Sequence, residues 1–216
     1  MSDDKSYEMT DRFIYVFDPL CSWCYGFHPT VKNIYQENSN RYGMEVLCGG
    51  NYVGKKKMPV KGKSLKMQRA YEGVGRITGA EFSRYFFDNI IHNHQYVMNS
   101  EPSSIAFYVM KTLVPEEALP MSYGLQQSFY VKGKRMDRKA TFTGVARQFG
   151  IDKQEFLDMY LDPVFKQRTY EEFDRVKEID VHGYPSFFLF KDGEYHELAE
   201  GYSKEEEVRK ELTRII

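Results

Sequence analysis

The sequence predicts an α/β fold in which a β-α-β unit and a β-β-α unit flank an all-helical insertion. Three observations carry that prediction. Aromatic and β-branched runs of strand length lie near the two ends of the chain. Between them, apolar residues recur at helical rather than alternating spacing. Near the C-terminus an Asp-Gly pair separates two apolar runs, which is a hairpin signal.

Residues 1–11 are polar and read as a disordered leader. Phe13-Ile-Tyr-Val-Phe17, stopped by Asp18-Pro19, reads as a buried strand running into a turn. Helical character follows from about Trp23 to Glu37, and Met44-Glu-Val-Leu-Cys48 is a second strand ending at Gly49-Gly50. A β-α-β order implies parallel strands joined by a right-handed crossover. Past Asn51, Lys55, Lys56, Lys57, Lys61, Lys63 and Lys66 crowd together with no acid among them. Pro59 and Gly62 interrupt this stretch, so it reads as a solvated loop. Phe82, Tyr85, Phe86, Asn89 and Ile90 keep helical spacing, as do Ile105, Tyr108, Val109, Thr112 and Leu113. No strand pattern is found between 51 and 160. At the end, Pro185-Ser-Phe-Phe-Leu-Phe190 and Tyr195-His-Glu-Leu-Ala199 flank Lys191-Asp-Gly-Glu194. The closing Glu205-Glu-Glu-Val-Arg-Lys-Glu-Leu212 sets acids before bases, as the helix dipole favours. Residues 12–50 and 161–216 are therefore expected to form one domain, interrupted by a helical insertion over 51–160.

Composition narrows the function. The 216 residues are 42% hydrophobic and 28% charged, the balance of a globular chain. Thirty basic against 31 acidic side chains leave a net charge of −1, which lacks the footprint of a general nucleic-acid binder. No apolar stretch approaches the roughly 20 residues that span a bilayer, so no membrane partner is expected. The start of the chain shows no basic segment followed by an apolar one. With Met1 as the native start, the expected location is the cytoplasm. Three cysteines do not make a disulfide framework, and in a reducing compartment their value is chemical.

Cys21-Ser22-Trp23-Cys24 stands between the first strand and the first helix, where a C-x-x-C is a redox arrangement. Free N–H groups and the positive end of the helix dipole favour a thiolate there. Cys21, the outer member, is then the nucleophile on a partner disulfide, and Cys24 resolves the mixed disulfide. Two other readings compete. Cys21, Cys24 and Cys48 with a histidine could bind zinc, but no second C-x-x-C supports it. A pair of inert buried cysteines is the blander alternative.

Asp18-Pro-Leu-Cys-Ser-Trp-Cys-Tyr-Gly-Phe-His28 resembles the active-site segment of the DsbA family in the thioredoxin superfamily, nearest its cytoplasmic, FrnE-like branch of predicted disulfide isomerases. Val181-His-Gly-Tyr-Pro-Ser-Phe-Phe188 is similar to the family's proline loop. Leu125–Gly133 and Val145–Ile151 resemble helices of its inserted domain, and Pro29 matches a helix proline of the thioredoxins. The resemblance implies a thioredoxin-like fold. It also implies a cis bond between Tyr184 and Pro185, packed opposite the cysteines, where an extended substrate pairs with backbone. The sequence departs from the family at two points. Ser22-Trp23 replaces the Pro-His of strongly oxidising members, which moves the couple toward more reducing potentials. Tyr184 is bulkier than the Thr or Val of relatives, which bears on substrate choice.

Several residues read more plainly. Asp18 suits a turn or cap, with a proton relay to Cys24 as the sharper reading. His28 reads as a helix-face residue that could influence the thiols, and Cys48 as a buried strand thiol. His92 and His94 read as surface histidines. Gly73, Gly75 and Gly79 fail the dinucleotide fingerprint and suggest a hinge between helices. The expected activity is dithiol–disulfide exchange on protein or small-molecule thiols, in the direction of reduction or isomerisation. It needs no metal or organic cofactor, with glutathione as a candidate reductant or substrate. One rival is a glutathione-dependent transferase or isomerase of the kappa-class and hydroxychromene-carboxylate type, whose relatives usually carry serine where Cys21 stands. Another is a non-catalytic peptide-binding or chaperone module.

Overall fold

The computed structural model describes residues 11–216. Strand β1 (Arg12–Phe17) passes through a tight turn into helix α1 (Ser22–Asn38), which returns the chain to β2 (Gly43–Cys48). A 3₁₀ turn (Gly54–Lys56), β3 (Met58–Pro59), α2 (Ser64–Thr78), and α3 (Arg84–Phe86) running into a π-helical turn (Phe87–Ile91) come next. Then follow β4 (Val97–Met98), α4 (Glu101–Leu113), α5 (Ala118–Tyr130), α6 (Lys139–Ala146) and α7 (Lys153–Leu161). Helix α8 (Pro163–Glu178) leads to the hairpin of β5 (Ser186–Lys191) and β6 (Glu194–Glu200), and α9 (Glu205–Ile215) closes the chain.

The main sheet runs β2-β1-β5-β6, with β1 parallel to β2 and antiparallel to β5. Side chains alternate across β1, and both faces are buried. Phe13, Tyr15 and Phe17 join Phe187 and Leu189 on one face, in a core shared with α1, α9 and the helices between β2 and β5. Ile14, Val16, Leu47, Phe188 and Phe190 form the other face, covered by Val176 of α8. A strand covered on both sides reads as a continuous apolar run, which is the pattern of Phe13–Phe17.

The β5–β6 turn has Asp192 at φ 53° and Gly193 at φ 85°, two left-handed residues as a two-residue hairpin requires. At the far edge, Arg12 donates to Glu45 at 2.8 Å and stacks over the Phe190 ring, while Arg175 of α8 also binds Glu45. Glu172 of α8 takes the Cys48 N–H at 2.9 Å and pairs with Lys111 of α4. These contacts tie β2 to α8, and through Glu172 to α4.

Four expectations change. Residues 1–10 of the expected leader lie outside the described residues, but Asp11 is tied in, accepting the Asp192 N–H at 3.2 Å. Among the described residues, the only strands between β2 and β5 are β3 and β4, where Met58 and Pro59 pair with Met98 and Val97. A two-residue pairing carries no periodicity, so it left no trace in the apolar pattern. Gly73 and Gly75 lie within α2, and only Gly79, at φ 76°, ends that helix; the expected hinge is a continuous helix with a left-handed stop. The lysine stretch is exposed as expected, though Lys55 and Lys56 belong to a 3₁₀ turn and Lys66 to α2.

Candidate active site

The chain leaves β1 in a turn closed by the Cys21 N–H on the Asp18 carbonyl at 3.0 Å. Cys21 is the N-cap of α1, extended at φ −88° and ψ 111°, and its Sγ accepts the Cys24 N–H at 3.2 Å. A side-chain acceptor at that position satisfies one of the helix's free amides. The Tyr184–Pro185 bond is cis, and the Tyr184 carbonyl lies 3.6 Å from Cys21 Sγ across the site. Both sulfurs are free thiols. Cys21 retains 8% exposure and forms part of the wall of a cavity of about 610 Å³, whereas Cys24 behind it is fully enclosed. Ser22 is half-buried and Trp23 is 37% exposed, beside the Tyr202 ring.

Burial, and then the hydrogen bond with and charge of Cys21, push the Cys24 thiol well above its ordinary pKa, against the pull of the Asp18 amide. Cys24 therefore holds its proton until a reaction removes it. The Tyr15 hydroxyl donates to the Cys24 carbonyl at 3.1 Å and fastens this turn of α1 to β1.

Asp18 organises the turn. Its fully buried carboxylate accepts from Leu20 N at 2.8 Å, Asn51 N at 2.7 Å and Ser100 Oγ at 2.9 Å. Burial raises its pKa, against these three hydrogen bonds. The turn role is thus realised, and it joins the Cys21 turn, the loop after β2 and the start of α4. Gln126 of α5 donates to the carbonyls of Asp18 and Cys21 at 3.3 and 3.4 Å. Asp18, Gln126 and Gly49, whose carbonyl accepts the Tyr184 hydroxyl at 2.7 Å, support the site in ways that composition and spacing do not signal, since their partners lie far away in the chain.

The remaining residues fall elsewhere. Cys48 is fully buried and donates to Ser104 Oγ at 3.0 Å. His92 is exposed, with Gln68 and Asp88 as neighbours. His28 is buried, stacked on Tyr123 at 4.3 Å, and lies on a different cavity from Cys21. Burial, aided by the charge of Lys32, holds its imidazole down to about 3. An unfolded histidine titrates near 6.5. Below that pH the unfolded chain takes up a proton that the folded chain refuses, so stability is lost as pH falls from 6.5 towards 3. The slope approaches about 1.4 kcal/mol per pH unit. Urea unfolding at pH 7 and pH 5 should show wild type losing roughly 2 kcal/mol more than His28→Phe. Equal losses would refute the assignment.

The chain belongs to the DSBA-like thioredoxin domain family, whose model matches residues 13–213. The fold is the thioredoxin-like fold of that oxidoreductase family, with a helical insert. A candidate protein disulfide isomerase from Nitrosomonas europaea is 25% identical, with a TM-score of 0.82 over 95% of this chain and 97% of that one. The cytosolic disulfide reductase DsbM from Pseudomonas aeruginosa is 22% identical, with a TM-score of 0.77 over 94% and 98% of the two chains. A 2-hydroxychromene-2-carboxylate isomerase shares the fold at 15% identity, with a TM-score of 0.65 over 94% and 95%. Among curated proteins none matches the chain. No helix among the described residues is long and apolar enough to cross a membrane.

Proposed function

We propose that the protein reduces or isomerises disulfides by dithiol–disulfide exchange through Cys21 and Cys24. The reading rests on one observation: Cys21 Sγ lies between the Cys24 N–H and the carbonyl of Tyr184, on the wall of an open cavity. As a thiolate, Cys21 attacks one sulfur of a target disulfide, forms a mixed disulfide and releases the first target thiol. Cys24 then gives up its proton and attacks Cys21 Sγ. The second target thiol leaves, and two electrons have passed from the dithiol to the target. A thiol pool such as glutathione returns the pair to the dithiol, and no metal or organic cofactor takes part. The relative DsbM has been captured with glutathione, which supports such a pool as partner. Tyr184 and Pro185 offer backbone to an extended substrate beside the sulfurs. Retention of both cysteines favours exchange over the glutathione-activating chemistry of the isomerase relatives.

Trp23 is the single tryptophan and sits between the two cysteines, so its emission reports their state. Titration against reduced and oxidised glutathione should give one reversible two-electron transition. With Ser22 and Trp23 in place of Pro-His, the midpoint should lie below the value of about −120 mV typical of a strong oxidant; each 30 mV is about tenfold in the equilibrium constant. Absence of a reversible Cys21–Cys24 disulfide at every poise, by thiol trapping, would end this reading.

A further inference from the structure

We propose that this site selects disulfides whose sulfurs are flanked by carboxylates, through Lys55 and Lys56 on the rim of the Cys21 cavity. The inference rests on the exchange reading above and adds a substrate class to it. The protein as a whole is close to neutral, with a formal charge of −1. The cavity is not. Lys55, Lys56, Lys177 and His182 line it together with Cys21, and among the described residues no aspartate or glutamate does. Two of these side chains have local acidic partners, since Lys177 pairs with Asp174 and His182 lies 3.4 Å from Asp180. Among the described residues, Lys55 and Lys56 have no ion-pair partner, and both are exposed. Their charge is therefore available to a ligand.

The two lysines are also held in position. Their 3₁₀ turn closes with the Lys56 N–H on the Val53 carbonyl at 2.9 Å. Just before it, Asn51 N binds the Asp18 carboxylate, while Tyr52 exchanges hydrogen bonds with Ser100 through its N–H and its carbonyl. The carboxylate that braces the Cys21 turn thus also braces the loop carrying the lysines. Like charges gathered around a concave site raise the local concentration of oppositely charged ligands and their encounter rate by about 10-fold to 1000-fold. A small acidic peptide disulfide, or a mixed disulfide of one, has the matching charge.

The test is single-turnover oxidation of the reduced protein, followed by Trp23 emission in low salt. Reduced protein plus disulfide gives oxidised protein plus two thiols, so no further reductant is needed. Three small probes differ in charge: 3,3′-dithiodipropionate is anionic, hydroxyethyl disulfide neutral and cystamine cationic. The anionic-to-cationic rate ratio should fall at least tenfold in the K55E/K56E variant and shrink with added salt in wild type. The neutral probe should react at the same rate in both proteins, which shows that the variant folds and exchanges. A ratio unchanged by charge reversal, with the neutral probe still reacting, overturns the selectivity and leaves exchange intact. A neutral probe that fails to oxidise wild type overturns the exchange reading, and this inference falls with it.

Discussion

Cys24→Ser should still attack a disulfide but fail to release it, so that a mixed disulfide on Cys21 accumulates and turnover falls at least a hundredfold. Cys24 lies one helical turn beyond Cys21, with its N–H on the Cys21 sulfur at 3.2 Å. An attacking thiol carried on the same helical turn has an effective concentration far above any millimolar thiol pool. Serine keeps the size and the backbone hydrogen bond but cannot displace a sulfur. Cys21→Ser should give no adduct and no activity above background, because the enclosed Cys24 cannot reach a target. Cys48→Ser should behave as wild type in trapping, since its thiol is spent on Ser104 and is fully buried. Acid-quenched intermediates separated by mass distinguish all three. The pH dependence has a definite sign. Burial, the largest cause, raises the Cys24 pKa and persists in the mixed disulfide, where Cys21 carries no charge, so the resolving thiolate is the minor form at neutral pH. Decay of the wild-type mixed disulfide should accelerate about tenfold per pH unit as pH rises towards that raised pKa. A Cys24→Ser protein that turns over normally, without a stalled adduct, would remove Cys24 from the chemistry.

The parts of this site that local sequence announces are those whose cause is local. The C-x-x-C at a strand-to-helix junction, the aromatic run of β1 and the Asp192-Gly193 hairpin each follow from neighbours a few residues apart. The cis form of Tyr184–Pro185 is implied by family resemblance; spacing offers no sign of it. What stayed hidden depends on long-range pairing. Asp18 looks like any turn residue until its partners Asn51 and Ser100 come from 33 and 82 residues away. Gln126 reaches the Cys21 carbonyl from 105 residues away, on a helix whose period marks it only as inward-facing. His28 lies on the same helix as the thiols, yet it faces Tyr123 and a separate cavity. The glycines of α2 misled for a related reason. Gly75 is small because a Cβ there would come within 3.0 Å of the Ala80 carbonyl, a packing requirement that resembles a hinge in one dimension.

Gly49 is the strongest case of such a hidden requirement. Gly49→Ala should slow exchange at least tenfold and destabilise the protein by about 1–3 kcal/mol. The backbone at Gly49 does not demand glycine, because its φ is not left-handed. Space does. A Cβ built there would lie 2.0 Å from Tyr184 Cε1 and 2.2 Å from its Cζ and hydroxyl oxygen. The Tyr184 ring packs against both apolar clusters, and its hydroxyl donates to the Gly49 carbonyl at 2.7 Å, so it cannot swing aside freely. The Gly49 N–H is in turn fixed on the Phe17 carbonyl at 2.8 Å, which keeps β2's end from yielding. The remaining freedom is in the Tyr184–Pro185 segment, whose carbonyl faces Cys21 Sγ. Displacing it moves the backbone proposed to receive substrate. Removing the ring removes the conflict, so Gly49→Ala should cost less stability and rate in a Tyr184→Ala background than in wild type. A double-mutant cycle on urea midpoints and single-turnover rates should show coupling well above the few tenths of a kcal/mol seen for independent sites. Additive effects, or a Gly49→Ala protein with unchanged melting and exchange, would mean that the ring and the glycine do not constrain one another.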